Sequence, residues 1–212
     1  MPLIGTENQF IGLIVMEIAQ PINPENMQVL RVLSTLVATT MENARLFRLA
    51  TVDGLTGLYV RRYFDIRLKE EVARIKRHGG VVSILITDID HFKLVNDRYG
   101  HQQGDMVLRE LAQLFQQLVR QDIDIVCRYG GEEFVIIMPG TGSEGAALLG
   151  ERLRNTCQNY PFSGQDIPLS VTISGGIASM TGEDDFTVRN FIKTADDNLY
   201  QAKAGGRNNI CV

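Results

Sequence analysis

The sequence predicts an α+β domain in which helices pack against a central sheet rich in antiparallel pairs. The first observation is the order of local patterns after residue 57, which runs αβααββαβα. The second is a β-hairpin, because strand-like runs at 124–127 and 134–138 flank the pair Gly130-Gly131. The third is the apolar run 81–87, which is typical of a buried strand.

Composition limits the function classes. At 212 residues the chain can form one or two domains, and its hydrophobic content of 44% is ordinary for a globular protein. A net charge of −4 argues against binding to nucleic-acid polymers. We expect neither a signal peptide nor a membrane segment, since no apolar run reaches roughly 20 residues. Cys127, Cys157 and Cys211 lack zinc spacing and suggest a reducing, cytoplasmic setting.

Residues 1–24 resemble the remains of a larger domain. The segment 9–18 is strand-like, and a lone strand or hairpin is marginal without a sheet to join. The prolines at positions 21 and 24 then break this pattern, and Asn23 is a candidate N-cap for the helix that follows.

A helix is predicted over residues 25–50, with apolar and small residues at alternating spacings of three and four. This heptad pattern is typical of two parallel helices that pack together. The alternative is an amphipathic helix lying on its own domain. We favour the coiled coil, because no other part of the N-terminal segment is available to bury that face. The heptad positions are Leu30, Leu33, Val37, Thr40, Ala44 and Phe47.

Turn residues and glycine pairs predict the boundaries of the helices and strands in the domain over residues 51–212. A turn at 53–58 precedes the first helix, and glycine pairs bound several strands. We expect Gly175-Gly176 to carry one strand through a β-bulge. The predicted helices are 61–78, 104–120, 143–159 and 187–204, and the predicted strands outside the hairpin are 81–87 and 169–179.

Four carboxylates are placed where strands end. Asp88 and Asp90 follow the most apolar strand, and we expect Asp88 to bind metal and Asp90 to cap the next helix. Glu132 and Glu133 sit beside the two glycines, whose backbone a bulky anion can approach closely. Carboxylates beside a polyphosphate suggest bridging metal ions, although an acidic hairpin tip is the structural alternative.

Further polar residues have a functional and a structural interpretation. Asp105 suits guanine, whose N1–H and N2–H₂ edge offers two donors, or simply a helix N-terminus. Asn96 and His101 are candidates for the same ligand. Lys93, Lys203 and Arg207 offer positive charge for phosphates, although cations at helix C-termini are also common.

Five motifs together resemble those of the GGDEF family of diguanylate cyclases, in order and in spacing. They cover some three quarters of the chain, and the signature hairpin carries Glu at its third position. The motifs are Asp53-Gly54-Leu55-Thr56-Gly57-Leu58, Asp88-Ile89-Asp90-His91-Phe92-Lys93, Asn96-Asp97 through Gly100-His101 to Gly104-Asp105, Gly130-Gly131-Glu132-Glu133-Phe134, and Ala202-Lys203 through Gly206-Arg207-Asn208.

The resemblance implies a five-stranded sheet like that of nucleotide cyclases and polymerase palms. It implies that a homodimer condenses two GTP molecules into cyclic di-GMP and two pyrophosphates. Two Mg²⁺ or Mn²⁺ ions per active site are expected on Asp88, the main-chain carbonyl of Ile89, Glu132 and Glu133. The N-terminal part resembles the end of a GAF sensor domain and its signalling helix.

The same resemblance assigns the remaining roles. Glu132 is the expected general base, assisted by Glu133. The other expected contacts are to GTP: Lys93, Lys203 and Arg207 neutralise the triphosphate, Asn96 and Asp105 read guanine, His101 lines the same region, and Gly130 and Gly131 form the signature turn.

Two positions depart from the family pattern. The product-inhibition motif Arg-x-x-Asp has Gln121 in place of its arginine but keeps Asp124, and Arg120 lies one position early, where a regular element points it elsewhere. Arg152 matches a secondary inhibitory arginine. We therefore expect weak or absent product inhibition. Val60 stands where the family usually has Asn, and we expect a local packing effect.

An active cyclase is the leading interpretation, and two other functions are alternatives to it. The first alternative is a GGDEF-like module that binds GTP or cyclic di-GMP without turnover. The retained Glu132 and Glu133 favour the enzyme, since degenerate members usually lose an acidic residue of the hairpin. A purely structural dimerisation domain leaves Lys203 and Arg207 unexplained.

Overall fold

The computed structural model describes residues 1–4, 10–17, 21–164, 169–185 and 187–212. They form two compact units, Met1–Thr51 and Val52–Val212. None of the helices in these ranges combines the length and the apolar composition that crossing a membrane demands.

The first unit is a small hairpin and one long helix. Strand β1 (Pro2–Ile4) pairs antiparallel with β2 (Phe10–Leu13). Strand β2 lies within the predicted strand-like segment 9–18, of which residues 14–17 are not in a strand and residues 9 and 18 lie outside the described residues. Helix α1 (Pro24–Thr51) matches the predicted helix within one residue at each end. Asn23 is its N-cap, because its Oδ1 accepts a hydrogen bond of 2.7 Å from the backbone N–H of Asn26.

Helix α1 has a buried side and, opposite to it, an exposed apolar side. Its buried side includes Ser34, Ala38 and Glu42, one helical turn apart, and β1 lies against the helix. The other side carries exposed Leu33 and Val37 at predicted heptad positions. The remaining exposed large apolar residues of this side are Val29, Val32, Leu36 and Phe47.

The second unit is built on a six-stranded mixed sheet with four long antiparallel strands at its centre. Its two edge strands contain only two residues each and pair in parallel with their neighbours. In spatial order the strands are β3 (Tyr59–Val60), β5 (Ile125–Gly130), β6 (Glu133–Pro139), β4 (Val81–Ile89), β7 (Ile173–Thr181) and β8 (Ile210–Cys211).

The expected count of five strands is not confirmed, because the described sheet has six. Pairs of residues at both edges add backbone hydrogen bonds that no sequence periodicity signals. The strand predicted from residue 169 also starts later. Leu169 forms only an isolated bridge with Phe162, and β7 begins at Ile173.

Helices cover both faces of this sheet. On one face α2 and α6 bury an apolar cluster that includes Phe64 and Phe191, and on the other α3, α4 and α5 bury a cluster that includes Phe115 and Leu153. Each helix places an apolar stripe on the sheet. The helices are α2 (Arg61–His78), α3 (Phe92–Tyr99), α4 (His101–Leu118), α5 (Ser143–Asn159) and α6 (Val188–Ala204).

The predicted β-bulge at Gly175-Gly176 is wrong. Strand β7 pairs with β4 in continuous register from Ile173 to Thr181. The glycines serve packing instead. A Cβ on Gly176 would lie 2.1 Å from the carbonyl oxygen of Ala195 and 2.1 Å from the backbone nitrogen of Leu199, so glycine allows α6 to approach the strand.

Gly176→Ala should therefore destabilise the second unit by about 2 kcal/mol or more, because two backbone atoms of α6 must move to admit the methyl group. Urea unfolding measures this cost. Gly54→Ala is the matched control, since its Cβ would meet nothing within 4 Å. Equal stabilities of the two variants would contradict this role for Gly176.

Candidate active site

The sheet register brings the two acidic segments together. Asp88, near the end of β4, lies directly opposite Glu133 at the start of β6. Directly paired residues of antiparallel strands project to the same face, so both carboxylates lie on the side covered by α2 and α6. The sequence-based expectation that Asp88 and the hairpin converge is thus met for Asp88 and Glu133.

The hairpin turn carries Glu132 back to the same strand. Gly131 has φ +52°, a left-handed conformation that glycine adopts without strain, and it directs the chain into β6. The carbonyl oxygen of Glu132 then accepts a hydrogen bond of 3.3 Å from the backbone N–H of Ile89. The main chain of the turn is therefore attached to the end of β4. Gly130 and Gly131 are exposed.

Charge at this edge is only partly balanced. Burial raises the pKa of the Glu133 carboxyl above its ordinary value, and the negative charge of Asp88 raises it further, while Lys203 opposes the shift. The Nζ of Lys203 lies 2.8 Å from Oδ2 of Asp88. Lys203, at the end of α6, is thus placed beside one of the carboxylates.

The donors at this edge fit a hard divalent cation. Among the described residues, no three acidic, histidine or cysteine side chains already converge as a metal-binding group. However, Asp88, Glu132, Glu133 and the carbonyl of Ile89 all offer oxygen, which Mg²⁺ prefers. Burial is the larger cause of the raised pKa of Glu133, and a bound cation would offset the smaller contribution from the negative charge of Asp88.

Arg128 fixes the hairpin turn through hydrogen bonds to its main chain. This role of Arg128 was not predicted from the sequence. Its Nε and Nη2 donate to the carbonyl oxygen of Gly131 at 3.0 and 2.9 Å. Its Nη1 donates to Oδ1 of Asp53 at 3.1 Å. Because 75 positions separate Arg128 from Asp53, no local pattern predicts this contact. The only signal in the sequence is that both residues lie within or beside the family motifs.

Asp53 in turn organises the loop that enters the domain. Its Oδ1 accepts hydrogen bonds from the backbone N–H and the hydroxyl of Thr56, at 2.9 and 2.7 Å. Burial by itself would raise the pKa of Asp53, but the hydrogen bonds from Thr56 and Arg128 outweigh it. The pKa therefore lies below its ordinary value of 3.8.

The predicted guanine-reading residues meet where α3 and α4 join. A Cβ on Gly104 would lie 2.0 Å from Oδ1 of Asn96, so the Asn96 amide rests directly against the backbone of α4. Asp105 is the next residue and is half-buried, whereas His101 is exposed at the first position of α4. Helix α4 thus begins three residues earlier than predicted.

Asp90 does not cap a helix, which corrects the role expected from sequence. The N-cap position of α3 is His91, in a left-handed conformation and without a side-chain cap. Asp90 is buried, and its carboxylate accepts hydrogen bonds from Thr172, Ser174 and the backbone N–H of Asn208. It therefore joins β4 to distant parts of the chain.

The other two predicted phosphate-binding cations are exposed. Lys93 lies in the first turn of α3, and Arg207 lies in the loop between α6 and β8. Arg207 has φ +66°, and Asn208 beside it has φ +45°. A left-handed backbone conformation is uncommon in residues other than glycine. Specific contacts must therefore hold the loop in this conformation.

The segment around Gln121 differs from its prediction. The Nη2 of Arg120 lies 2.6 Å from Oδ1 of Asp124, so Arg120 points toward the predicted site rather than elsewhere. The reason is that α4 ends at Leu118 and Asp122 turns the chain with φ +61°, so no regular element sets the side-chain direction. Beside this ion pair lies a cavity of about 240 Å³. Its lining residues are Arg120, Asp124, Met138, Thr141, Gly145, Leu148, Leu149 and Arg152.

Two of the three cysteines belong to the core. Cys127 and Cys157 are buried in the apolar clusters, and burial raises the pKa of each thiol to about 12. They consequently remain protonated and behave as core residues.

Comparisons with known proteins agree with this geometry. The family described as "Diguanylate cyclase, GGDEF domain" matches residues 50–209. The response regulator PleD of Caulobacter vibrioides is 42% identical over 207 residues, which cover 91% of this chain and 44% of that protein. Diguanylate cyclase A of Treponema denticola is 31% identical over 214 residues, which cover 98% of this chain and 57% of that protein. The chain thus spans about half the length of these relatives.

Solved structures share the fold. The coiled coil and GGDEF domain of DgcB from Caulobacter crescentus, in complex with c-di-GMP, matches with a TM-score of 0.80 at 28% identity, over 89% of this chain and 99% of that one. The active GGEEF domain of a diguanylate cyclase from Vibrio cholerae matches with a TM-score of 0.65 at 36% identity, over 71% of this chain and 94% of that one.

The contacts of Asp53 predict a pH dependence of stability. Because its pKa is lower in the folded chain than in the unfolded chain, ionised Asp53 stabilises the fold above the unfolded value, and this contribution disappears as the pH falls through the folded value. Urea unfolding should show a stability loss in Asp53→Asn that is constant from about pH 7 to about pH 5 and shrinks toward about pH 3. A loss of equal size at every pH would contradict this.

Proposed function

Because the chain belongs to the GGDEF family of diguanylate cyclases, we propose that it condenses two GTP molecules into cyclic di-GMP and two pyrophosphates. The observation that carries this proposal is the pairing of Asp88 with Glu133 across β4 and β6, with Glu132 bonded to Ile89 and Lys203 beside Asp88. This edge combines clustered carboxylates with a cation, as a site for a metal–triphosphate complex requires.

The chemistry proceeds twice, once for each linkage. The 3′-hydroxyl oxygen of one GTP forms a bond to the α-phosphorus of the other, and the bond from that phosphorus to pyrophosphate breaks. Glu132 accepts the hydroxyl proton as general base, assisted by Glu133. Lys93, Lys203 and Arg207 stabilise the negative charge on the phosphates, so the protein contributes mostly positioning and electrostatics.

Two Mg²⁺ or Mn²⁺ ions per site are part of this proposal. Asp88, the carbonyl of Ile89, Glu132 and Glu133 would hold them, and the bound ions would polarise the α-phosphate and the attacking hydroxyl. The support is the set of oxygen donors at this edge, where Asp88 is paired with Glu133 and the main chain of Glu132 is hydrogen-bonded to Ile89.

Guanine is the proposed base. The side chain of Asn96 rests against Gly104, next to Asp105, which puts an amide and a carboxylate at the same helix junction. Asp105 can accept hydrogen bonds from both N1–H and N2–H₂ of guanine, a donor pair that adenine lacks. His101, at the start of α4, lines this region, and Gly130 and Gly131 leave the turn open to the nucleotide.

Catalysis needs two GTP-loaded subunits, so we propose a homodimer. The support is the side of α1 that carries exposed Leu33 and Val37, opposite its buried side. A second copy of α1 would cover this side in a parallel coiled coil. Residues 1–24 would then be the remnant of a GAF-type sensor, and α1 its signalling helix. With GTP as substrate, the cytoplasm is the proposed location.

Weak product inhibition is also proposed. In the cavity beside α5, the Nη2 of Arg120 already donates hydrogen bonds within the protein. Its acceptors are Asp124, the hydroxyl of Thr141 at 2.8 Å and the carbonyl of Pro139 at 2.9 Å. Arg152 donates to the carbonyl of Leu118. Gln121 is exposed and lacks the guanidinium fork. Few donors in this cavity remain for a second guanine nucleotide.

Glu132→Gln should lower the rate of cyclic di-GMP formation from GTP and Mg²⁺ by at least about a hundredfold, because the amide cannot accept the proton. Chromatography of the products measures this, alongside sedimentation to verify the dimer. Glu183→Gln, at an exposed position, is the control. A dimeric unmodified chain that binds GTP but forms no product would favour the alternative, a binding module without turnover.

Leu33→Lys combined with Val37→Lys should weaken dimerisation at least about tenfold, since each lysine would place charge in the apolar contact. Sedimentation over a range of concentrations measures the effect. Thr35→Lys with Thr39→Lys adds the same charge at exposed positions outside the heptad. Truncation to residues 51–212 should act like the first pair. An unchanged monomer–dimer balance would rule out α1 as the dimer contact.

Gln121→Arg should tighten cyclic di-GMP binding about tenfold or more, by restoring a bidentate guanidinium beside Asp124. Calorimetry with cyclic di-GMP measures the affinity, and Gln117→Arg on α4 supplies the same charge at another exposed position. Tight binding by the unmodified chain that is lost in Asp124→Ala would contradict weak product inhibition.

A further inference from the structure

The carboxylate of Asp90 is buried in the second unit and accepts hydrogen bonds from three groups. Its Oδ1 accepts a hydrogen bond of 2.7 Å from the hydroxyl of Ser174. Its Oδ2 accepts one of 2.7 Å from the hydroxyl of Thr172 and one of 2.9 Å from the backbone N–H of Asn208. Asp90 is only 6% exposed, so these donors replace water around a full negative charge.

The bond to Asn208 reaches across 118 positions to the loop that carries Arg207. Arg207 and Asn208 in this loop both adopt left-handed backbone conformations, with φ +66° and +45° respectively. Such conformations persist in non-glycine residues only where the surroundings fix them. The acceptor at Asp90 is one of these constraints.

A second set of contacts fixes the far side of the loop. The Nη1 of Arg154, on α5, donates to Oδ1 of Asn208 at 3.0 Å, and the Nδ2 of Asn208 donates to Gln158 at 3.1 Å. The backbone N–H of Gly175 donates to the carbonyl of Asn209 at 2.9 Å. Asn208 is therefore held between α5 and β4, and the exposed side chain of Arg207 projects from a fixed backbone.

We propose that Asp90 is a positioning residue for GTP binding, which acts through Arg207. Asp90 lies two residues after Asp88 on the same chain segment, and through Asn208 it fixes the backbone of Arg207 relative to Asp88. The position from which the Arg207 side chain starts is thereby fixed relative to the carboxylate end of β4. This inference rests on the proposed function, because it takes the triphosphate as the ligand of Arg207.

Without the acceptor at Asp90, the N–H of Asn208 loses its partner inside the protein and the loop gains access to ordinary backbone conformations. Arg207 would then sample many positions, and ordering it on GTP binding would cost entropy. The defect should consequently appear in GTP affinity and should depend on the presence of Arg207. A general loss of fold stability has no such dependence.

A double-mutant cycle tests this by calorimetry with Mg²⁺ and a GTP analogue that has a methylene bridge between its α- and β-phosphates. Asp90→Ala should weaken binding of the analogue about tenfold in the full chain. In the Arg207→Ala background the same change should weaken binding less than about twofold. Asp90→Leu, which removes the same acceptor but keeps a side chain of similar shape in the buried position, should reproduce the effect if Asp90→Ala does not fold.

Thr172→Val is the matched control, because it removes one hydrogen bond to the same carboxylate and leaves the bond from Asn208. Its affinity for the analogue should stay within about twofold of the unmodified chain. Equal losses from Asp90→Ala in both backgrounds, or a tenfold loss in Thr172→Val, would overturn the inference while leaving the proposed function intact. No binding of the analogue by the unmodified chain would overturn both.

Discussion

The antiparallel register between β4 and β6 is the constraint on which the candidate site depends. It places Asp88 opposite Glu133, and the turn before β6 then delivers Glu132 to the backbone of Ile89. A slip of one residue would send every side chain of one strand to the other face. Such a slip would exchange the residues that β4 and β6 place in the two apolar clusters, and both clusters would have to repack. The packing of the core therefore helps to determine where the carboxylates meet.

Around this edge, longer-range contacts fix the parts that the register leaves open. Lys203 brings the end of α6 to Asp88, and Arg128 holds the hairpin turn on Asp53. Asp90 links β4 to the loop after α6. Each of these is a charged contact between segments far apart in the sequence. These contacts hold the edge together within the protein itself, which is the preorganisation that the proposed catalysis by positioning requires.

The sequence predicted the long elements well and the connecting geometry poorly. Helix α2 and the signature hairpin follow from periodicity and a glycine pair, which are local properties. The role of Asp90 could not be read locally, because its partner Asn208 is 118 positions away and a carboxylate before a helix is usually a cap. Gly176 looked like a bulge since the approach of α6 leaves no trace in the neighbouring residues. The direction of Arg120 depended on the turn at Asp122.

The central claim is that Asp88 and the hairpin glutamates form one metal-binding edge. Electron paramagnetic resonance of Mn²⁺, titrated into the chain with the methylene-bridged GTP analogue, tests it directly. We expect Mn²⁺ bound with the nucleotide in the unmodified chain and at least about tenfold weaker Mn²⁺ binding in both Asp88→Asn and Glu132→Gln. Mn²⁺ binding that is unchanged in either variant would contradict a shared site.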